Sequence, residues 1–219
     1  MPGPHFFRTA GLFTAPHFLS PEAAADLRLH MANAPAEKAG LIEGERGEYV
    51  DETVRKVESI ILPKEVRSPI KRQLLAILPE LEEHFRVKLG GCESPHYLIY
   101  RPGGFFKAHS DGGSSRNPFT QQRRVSIVVF LNAESAEPAA GTYGQGRLTF
   151  YSLLKGPVWE RCGFDLEAET GLLIAFPSEM VHEVTPVSHG ERYTVASWFY
   201  APEEEPPAET PAAGESSPG

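Results

Sequence analysis

Between His96 and Tyr200 the chain breaks into short segments rich in β-branched, aromatic and aliphatic residues, and nothing else restricts the fold as strongly. They run His96–Arg101, Arg123–Asn132, Arg147–Tyr151, Leu172–Phe176, Met180–Val184 and Tyr193–Tyr200, with Gly, Pro, Asn and Ser between them. Apolar runs this short, bounded by turn residues, read as strands, and several in succession imply a sandwich or barrel. The expected fold class is therefore mainly β, within an α+β chain.

The helices come first. Ser20 is placed to cap a helix with Pro21 at its first position and Glu22 in its first turn, and Ala24, Leu27 and Met31 follow at helical spacing. Residues 39–57 are polar and contain Gly, and read as a loop. Ser68-Pro69 repeats the cap-then-Pro signal ahead of an apolar stripe of Ile70, Leu74, Ile77, Leu78, Leu81 and Phe85, which Pro79 should kink or split. The expected organisation is one domain over 1–200, with helical support at 18–90 and a β core at 94–200. A disordered Pro/Glu-rich tail at 201–219 is expected to follow.

Charge argues about partners. The net charge is −8, and five Glu in the tail leave −3 for the body. An acidic body lacks the clustered Lys and Arg that phosphate neutralisation needs, so no nucleic-acid partner is expected. No apolar run reaches membrane-spanning length, so no membrane partner is expected either. Two cysteines, Cys92 and Cys162, provide no disulfide framework. A cytoplasmic protein with reduced thiols is the expectation.

The segment from Tyr100 to Asp111, YRPGGFFKAHSD, carries the chemistry. Side chains two apart on a strand share a face, so His109 and Asp111 can aim an imidazole and a carboxylate at one point. Two His and one carboxylate on one side of an ion form the facial arrangement of non-heme iron oxygenases. His-x-Asp alone is a weak signal, and a third ligand must follow. Only His182 and His189 lie beyond Asp111. His182 sits in strand-like alternation, whereas His189, in Ser188-His189-Gly190-Glu191, reads as a solvated turn. His189 and Glu191 form a rival pair, but no histidine follows to complete it. Arg192 comes ten residues after His182 and can grip a carboxylate through two parallel bonds. Thr194 shares its face. Arg124 and Arg147 are the alternatives for that role.

At this point the sequence resembles the prolyl 4-hydroxylase-like branch of the iron(II)/2-oxoglutarate oxygenases. The family pattern is His-x-Asp, a distal His, then Lys or Arg about ten residues on, matched here by His109, Asp111, His182 and Arg192. Tyr100-Arg101-Pro102-Gly103-Gly104, Val128–Asn132, Gly146–Phe150, Gly171–Ser178 and Trp198-Phe199 also look similar to the family's surroundings. The resemblance spans roughly Phe18 to Tyr200. It implies a double-stranded β-helix, or jelly roll, with N-terminal supporting helices. It implies Fe(II), 2-oxoglutarate as co-substrate with its far carboxylate on Arg192, and ascorbate as a candidate reductant. It implies oxidative decarboxylation to succinate and carbon dioxide, coupled to hydroxylation of a substrate carbon.

Two departures stand out. Some relatives place a Tyr where Phe130 stands, to bond the co-substrate carboxylate. Tyr100 is the candidate for the missing phenol. The stretch Ala133–Gly146 is longer and richer in Ala than a simple turn. The loop Gly112–Gln122, next to the first two ligands, reads as a lid over a peptide groove. A peptidyl proline is thus the first-choice substrate. A free amino acid or small metabolite, a non-catalytic jelly-roll metal-binding module and a hydrolytic zinc site are the alternatives, though the last leaves Arg192 without a role.

Overall fold

The computed structural model describes residues 4–42, 48–113, 118–153 and 162–202. In chain order the elements are α1 (Pro4–Thr9), β1 (Phe13–Ala15), α2 (Pro21–Ala32), β2 (Ala36–Lys38), β3 (Leu41–Ile42), β4 (Glu48–Tyr49), β5 (Arg55–Lys56) and β6 (Glu58–Ile60). Then come α3 (Lys64–Ala76), α4 (Leu78–Phe85), β7 (Gly91–Cys92), β8 (His96–Tyr100), β9 (Phe105–His109), α5 (Pro118–Gln121) and β10 (Arg123–Phe130). The rest are β11 (Tyr143–Gln145), β12 (Leu148–Tyr151), β13 (Gly163–Leu166), β14 (Leu173–Pro177), β15 (His182–Val184), β16 (Val187–Gly190) and β17 (Arg192–Tyr200).

Two sheets make the core. The larger runs β1-β14-β10-β17-β8-β6-β2, with β7 pairing β17; the smaller runs β13-β12-β15-β9-β5. Sequence neighbours are thus dealt to opposite sheets, which gives the jelly roll with helices on one side. The period-two alternation of β10 shows how the layers form. Val125, Ile127 and Val129 pack with the helices, and Phe130 packs between the sheets. Ile99 and Tyr100 on β8 divide the same way.

The helices obey their sequence signals in part. Ser20 caps α2 through the Ala23 N–H, and the buried positions are Ala24, Leu27 and Met31. Pro79 divides the second helical stretch, with α3 ending at Ala76 and Pro79 at the start of α4. Ser68-Pro69 does not open a helix. Instead α3 begins at Lys64 after an extended Pro63, and Pro69 lies inside it. Val66 packs against the core ahead of Ile70 and Leu74, so the buried stripe starts one turn earlier than Pro69 suggested. The lost backbone hydrogen bond is offset by that burial.

Residues 39–57 are more than a loop. They contain β3, β4 and β5, while β1, β2 and β6 join the larger sheet. The sheets therefore recruit strands from the N-terminal third, where two- and three-residue strands leave no periodic signal. Residues 203–219, expected to be a disordered tail, lie outside the described residues, as do residues 114–117 of the loop expected to be a lid; the far end of that loop is α5. Among the described residues, no helix is long and apolar enough to cross a membrane.

Candidate metal centre

His109 ends β9, His182 begins β15, and the two are Cα partners across this antiparallel pair. Their ring centroids lie 4.3 Å apart. Asp111 is beyond the strand, so strand alternation is not what points it inward. Its N–H and that of Gly112 both donate to the Ser178 carbonyl at 2.9 Å, which ties the chain after β9 to the end of β14 in the larger sheet. The His109 Nε2 is then 3.5 Å from Asp111 Oδ1, and the His182 Nε2 is 3.5 Å from Asp111 Oδ2. All three donor atoms fall within 4.8 Å of one another, and bonds of roughly 2 Å to one ion reach across such a gap.

The protonation states suit a cation. Each imidazole has its Nδ1 on a backbone carbonyl, His109 on Lys107 at 2.8 Å and His182 on Met180 at 2.9 Å. Donation from Nδ1–H leaves the Nε2 lone pair free, and Nε2 faces the carboxylate. Burial pushes His182 down to about 4, against the attraction of Asp111. Burial also pushes the Asp111 carboxyl up, but the neighbouring His182 and His109 outweigh it and hold it well below the usual carboxylate range. At neutral pH His182 is therefore neutral and Asp111 an anion, the states that metal ligands require.

The surroundings hold this geometry in place. The Ser126 hydroxyl donates to Asp111 Oδ2 at 2.7 Å and lies 3.0 Å from the Ser178 hydroxyl. Phe106 stacks on His109 with centroids 3.5 Å apart, and Phe176 meets His182 edge-on at 4.7 Å. Behind Asp111, Arg123 pairs with Glu93 at 2.7 Å and lies 3.9 Å from the Trp198 ring. The Trp198 indole approaches the Asp111 carboxylate without completing a hydrogen bond.

From Trp198 the inward face of β17 leads back through Thr194 to Arg192. Arg192 is 1% exposed, yet its Nε and Nη2 have no hydrogen-bond partner among the described residues. Its Nη1 reaches Thr194 Oγ1 only at 3.4 Å. The guanidinium carbon lies 4.9 Å from the Tyr100 ring and 5.1 Å from the Phe130 ring. A buried cation without an anion costs several kcal/mol, and two cation–π contacts of at most about 2 kcal/mol each offset only part of it. The residues fit a co-substrate with a carboxylate at its far end. Arg147 is engaged with Glu134 and Asp165, and Arg124 donates to the Gln121 and Arg123 carbonyls, so neither is a comparable free anchor.

The structure thus brings His109, Asp111 and His182 together, and sets Arg192, Thr194 and Tyr100 side by side. Tyr100 is the Cα partner of Arg192 and turns its ring face to the guanidinium. His189 differs from expectation: it lies in β16, half-buried, and packs so closely that a Cβ on Gly144 would fall 2.1 Å from its Cε1. It takes no part in the triad. Two residues escaped the sequence reading. Ser126 is a small polar residue inside an apolar strand, a signal that was legible. Tyr143, 1% exposed and packed with Arg192 around Gly146, sits in a three-residue strand within the stretch read as an insertion.

Comparison with known proteins agrees with this geometry. Residues 95–200 match the family model for the 2OG-Fe(II) oxygenase superfamily. A prolyl-4-hydroxylase of Pseudomonas putida is similar in structure, with a TM-score of 0.62 and 26% identity over 90% of this chain and 96% of that one. A prolyl hydroxylase from Trichoplax adhaerens, solved with a hypoxia inducible factor oxygen degradation domain peptide fragment, has a TM-score of 0.62 at 18% identity, covering 90% and 86% of the two chains. An alpha ketoglutarate dependent epimerase from nogalamycin biosynthesis shares the fold at 14% identity with a TM-score of 0.57, covering 90% and 81%. No curated protein matches the sequence. Residues 95–200 thus belong to the 2OG-Fe(II) oxygenase superfamily, which makes the chain a dioxygenase that works with Fe(II) and 2-oxoglutarate, prolyl 4-hydroxylase-like in its fold.

Proposed function

We propose that this oxygenase hydroxylates a peptidyl proline, with His109, Asp111 and His182 as its iron ligands and Arg192, aided by Thr194, as the anchor for 2-oxoglutarate. The observation that carries the site assignment is the buried guanidinium of Arg192, left with two nitrogens that have no partner among the described residues, against Tyr100 and Phe130 of the core between the sheets. The peptide substrate is favoured by the likeness to the Pseudomonas putida prolyl-4-hydroxylase, at 26% identity over nearly that whole chain. We take residues 1–200 as the functional unit, because β1, β2, β5 and β6 complete the two sheets.

When bound, Fe(II) and 2-oxoglutarate together activate dioxygen, releasing succinate and carbon dioxide and supplying the oxidant for an aliphatic C–H bond. The chain's own part is positioning and electrostatics. The two Nε2 atoms and the Asp111 carboxylate would hold the ion, a donor set that suits ferrous iron. Ser126 fixes the carboxylate's rotation through Oδ2. Arg192 sets how deep the co-substrate enters, through a bidentate grip that a Lys could not reproduce. Phe106, Phe150 and Phe176 wall the imidazoles from water, which strengthens the charge interactions inside.

The test is succinate release from 2-oxoglutarate in the presence of Fe(II) and ascorbate, screened against proline-containing peptides and free amino acids, with hydroxyproline measured in the peptide. Peptide-stimulated succinate release with matching hydroxyproline is expected. Stimulation by a free amino acid alone would replace the peptide with a small metabolite. Iron binding without succinate under any condition would leave a non-catalytic metal-binding module.

A further inference from the structure

Phe130 presents only a ring edge and face to the anchor site, so the β10 position cannot donate a hydrogen bond to a bound carboxylate. The guanidinium of Arg192 carries positive charge and donors, but a carboxylate has two oxygens and about four lone-pair directions to satisfy. Among the residues packed around it, Tyr143 supplies a phenol. Tyr143 is 1% exposed and lies in β11, which pairs with β16 in a two-stranded ribbon.

The backbone shows how the ring reaches the site. Gly146, at φ +60, lets the chain turn from β11 into β12, and a Cβ there would lie 3.3 Å from Arg192 Cδ and 3.6 Å from Tyr143 Cδ2. The arginine stem and the tyrosine ring therefore flank the same glycine. Burial pushes the Tyr143 phenol up, and the Arg192 guanidinium beside it works against that shift. Arg192 carries only donors, so the phenol oxygen can face the guanidinium while its proton is free to donate to a bound carboxylate. Tyr100, by contrast, shows the guanidinium its ring face.

We infer that Tyr143 is a positioning residue for 2-oxoglutarate, donating to the far carboxylate beside Arg192 and standing in, from β11, for the phenol that Phe130 lacks on β10. This gives the stretch Ala133–Gly146 a purpose: it carries a strand that completes the co-substrate site. The inference rests on the proposed role of Arg192.

The test measures binding, not turnover. The Fe(II)-loaded enzyme is titrated anaerobically with 2-oxoglutarate and, separately, with 2-oxobutyrate, which chelates through the same keto acid but has no far carboxylate. Tyr143→Phe keeps the ring and removes only the hydroxyl. It is expected to weaken 2-oxoglutarate binding about 10- to 100-fold, the range for one hydrogen bond to a charged group, with 2-oxobutyrate affinity and iron content unchanged. Equal weakening toward both acids would mean a structural role and overturn the inference, as would no change toward either. If Arg192→Gln also left 2-oxoglutarate affinity untouched, the anchor reading itself would fall, which separates the two outcomes.

Discussion

His109 and His182 face each other as Cα partners across β9 and β15, and each directs Nε2 to a different oxygen of Asp111 at 3.5 Å. Neither imidazole alone makes a site; the pairing register does. His109→Ala and His182→Ala are each expected to abolish stoichiometric iron binding and 2-oxoglutarate turnover while leaving the sheets folded. Metal analysis and circular dichroism on the same samples check this, and a variant that retains one iron per chain would remove that residue from the ligand set.

Ser126 touches the centre only through Asp111. Losing a partner that orients a metal ligand typically costs 10- to 100-fold in affinity, so Ser126→Ala should weaken iron binding by roughly that factor. Ser126→Thr keeps the hydroxyl and should recover most of it. A competition titration with a chelator measures both.

Arg192 is a stability liability that function accounts for. Replacing it with Met fills the same space and removes a buried, unpaired charge. The metal-free protein should become more stable by about 1–2 kcal/mol, while 2-oxoglutarate affinity falls by a factor on the order of 100 or more. Denaturant unfolding and a binding titration on one preparation test the pair of effects. Loss of both stability and affinity would mean the guanidinium is satisfied in a way the fold alone provides.

Acid should unfold the metal-free protein in a window set by His182. Its folded value of about 4 lies below the ordinary 6.5. Between those values the unfolded chain binds a proton that the folded chain does not, so stability is full above about pH 6.5 and falls as the pH drops toward 4. The total is about 3 kcal/mol at most. Asp111, held low, adds its own loss only at lower pH. His182→Gln should lessen the decline between pH 6.5 and 4, leaving the share carried by His96, which burial also pushes down to about 4, as read from thermal unfolding in the presence of chelator.

Much of the site was legible because its signals are local. His109 and Asp111 are two residues apart, His182 sits in a recognisable strand, and Arg192 follows at a fixed distance. The reason given for Asp111 was wrong in detail: a backbone bend held by the Ser178 carbonyl, not strand alternation, brings it inward. That contact joins residues 67 apart in sequence, and spacing cannot show it. Tyr143 was hidden for a similar reason, since a three-residue strand has no period to read, and its role depends on Gly146 and β16 folding it against Arg192. The helix start at Lys64 was missed because Ser68-Pro69 imitates a cap, and only packing of Val66 shows that the stripe begins earlier.

The convergence of three side chains on one ferrous ion is tested most directly by anaerobic addition of 2-oxoglutarate to the Fe(II)-loaded enzyme, followed by the visible charge-transfer absorption of the chelate. One chelate per wild-type chain, and none in Asp111→Ala at the same iron concentration, is the predicted result. An equally intense band in Asp111→Ala would place the iron on other ligands and contradict the account.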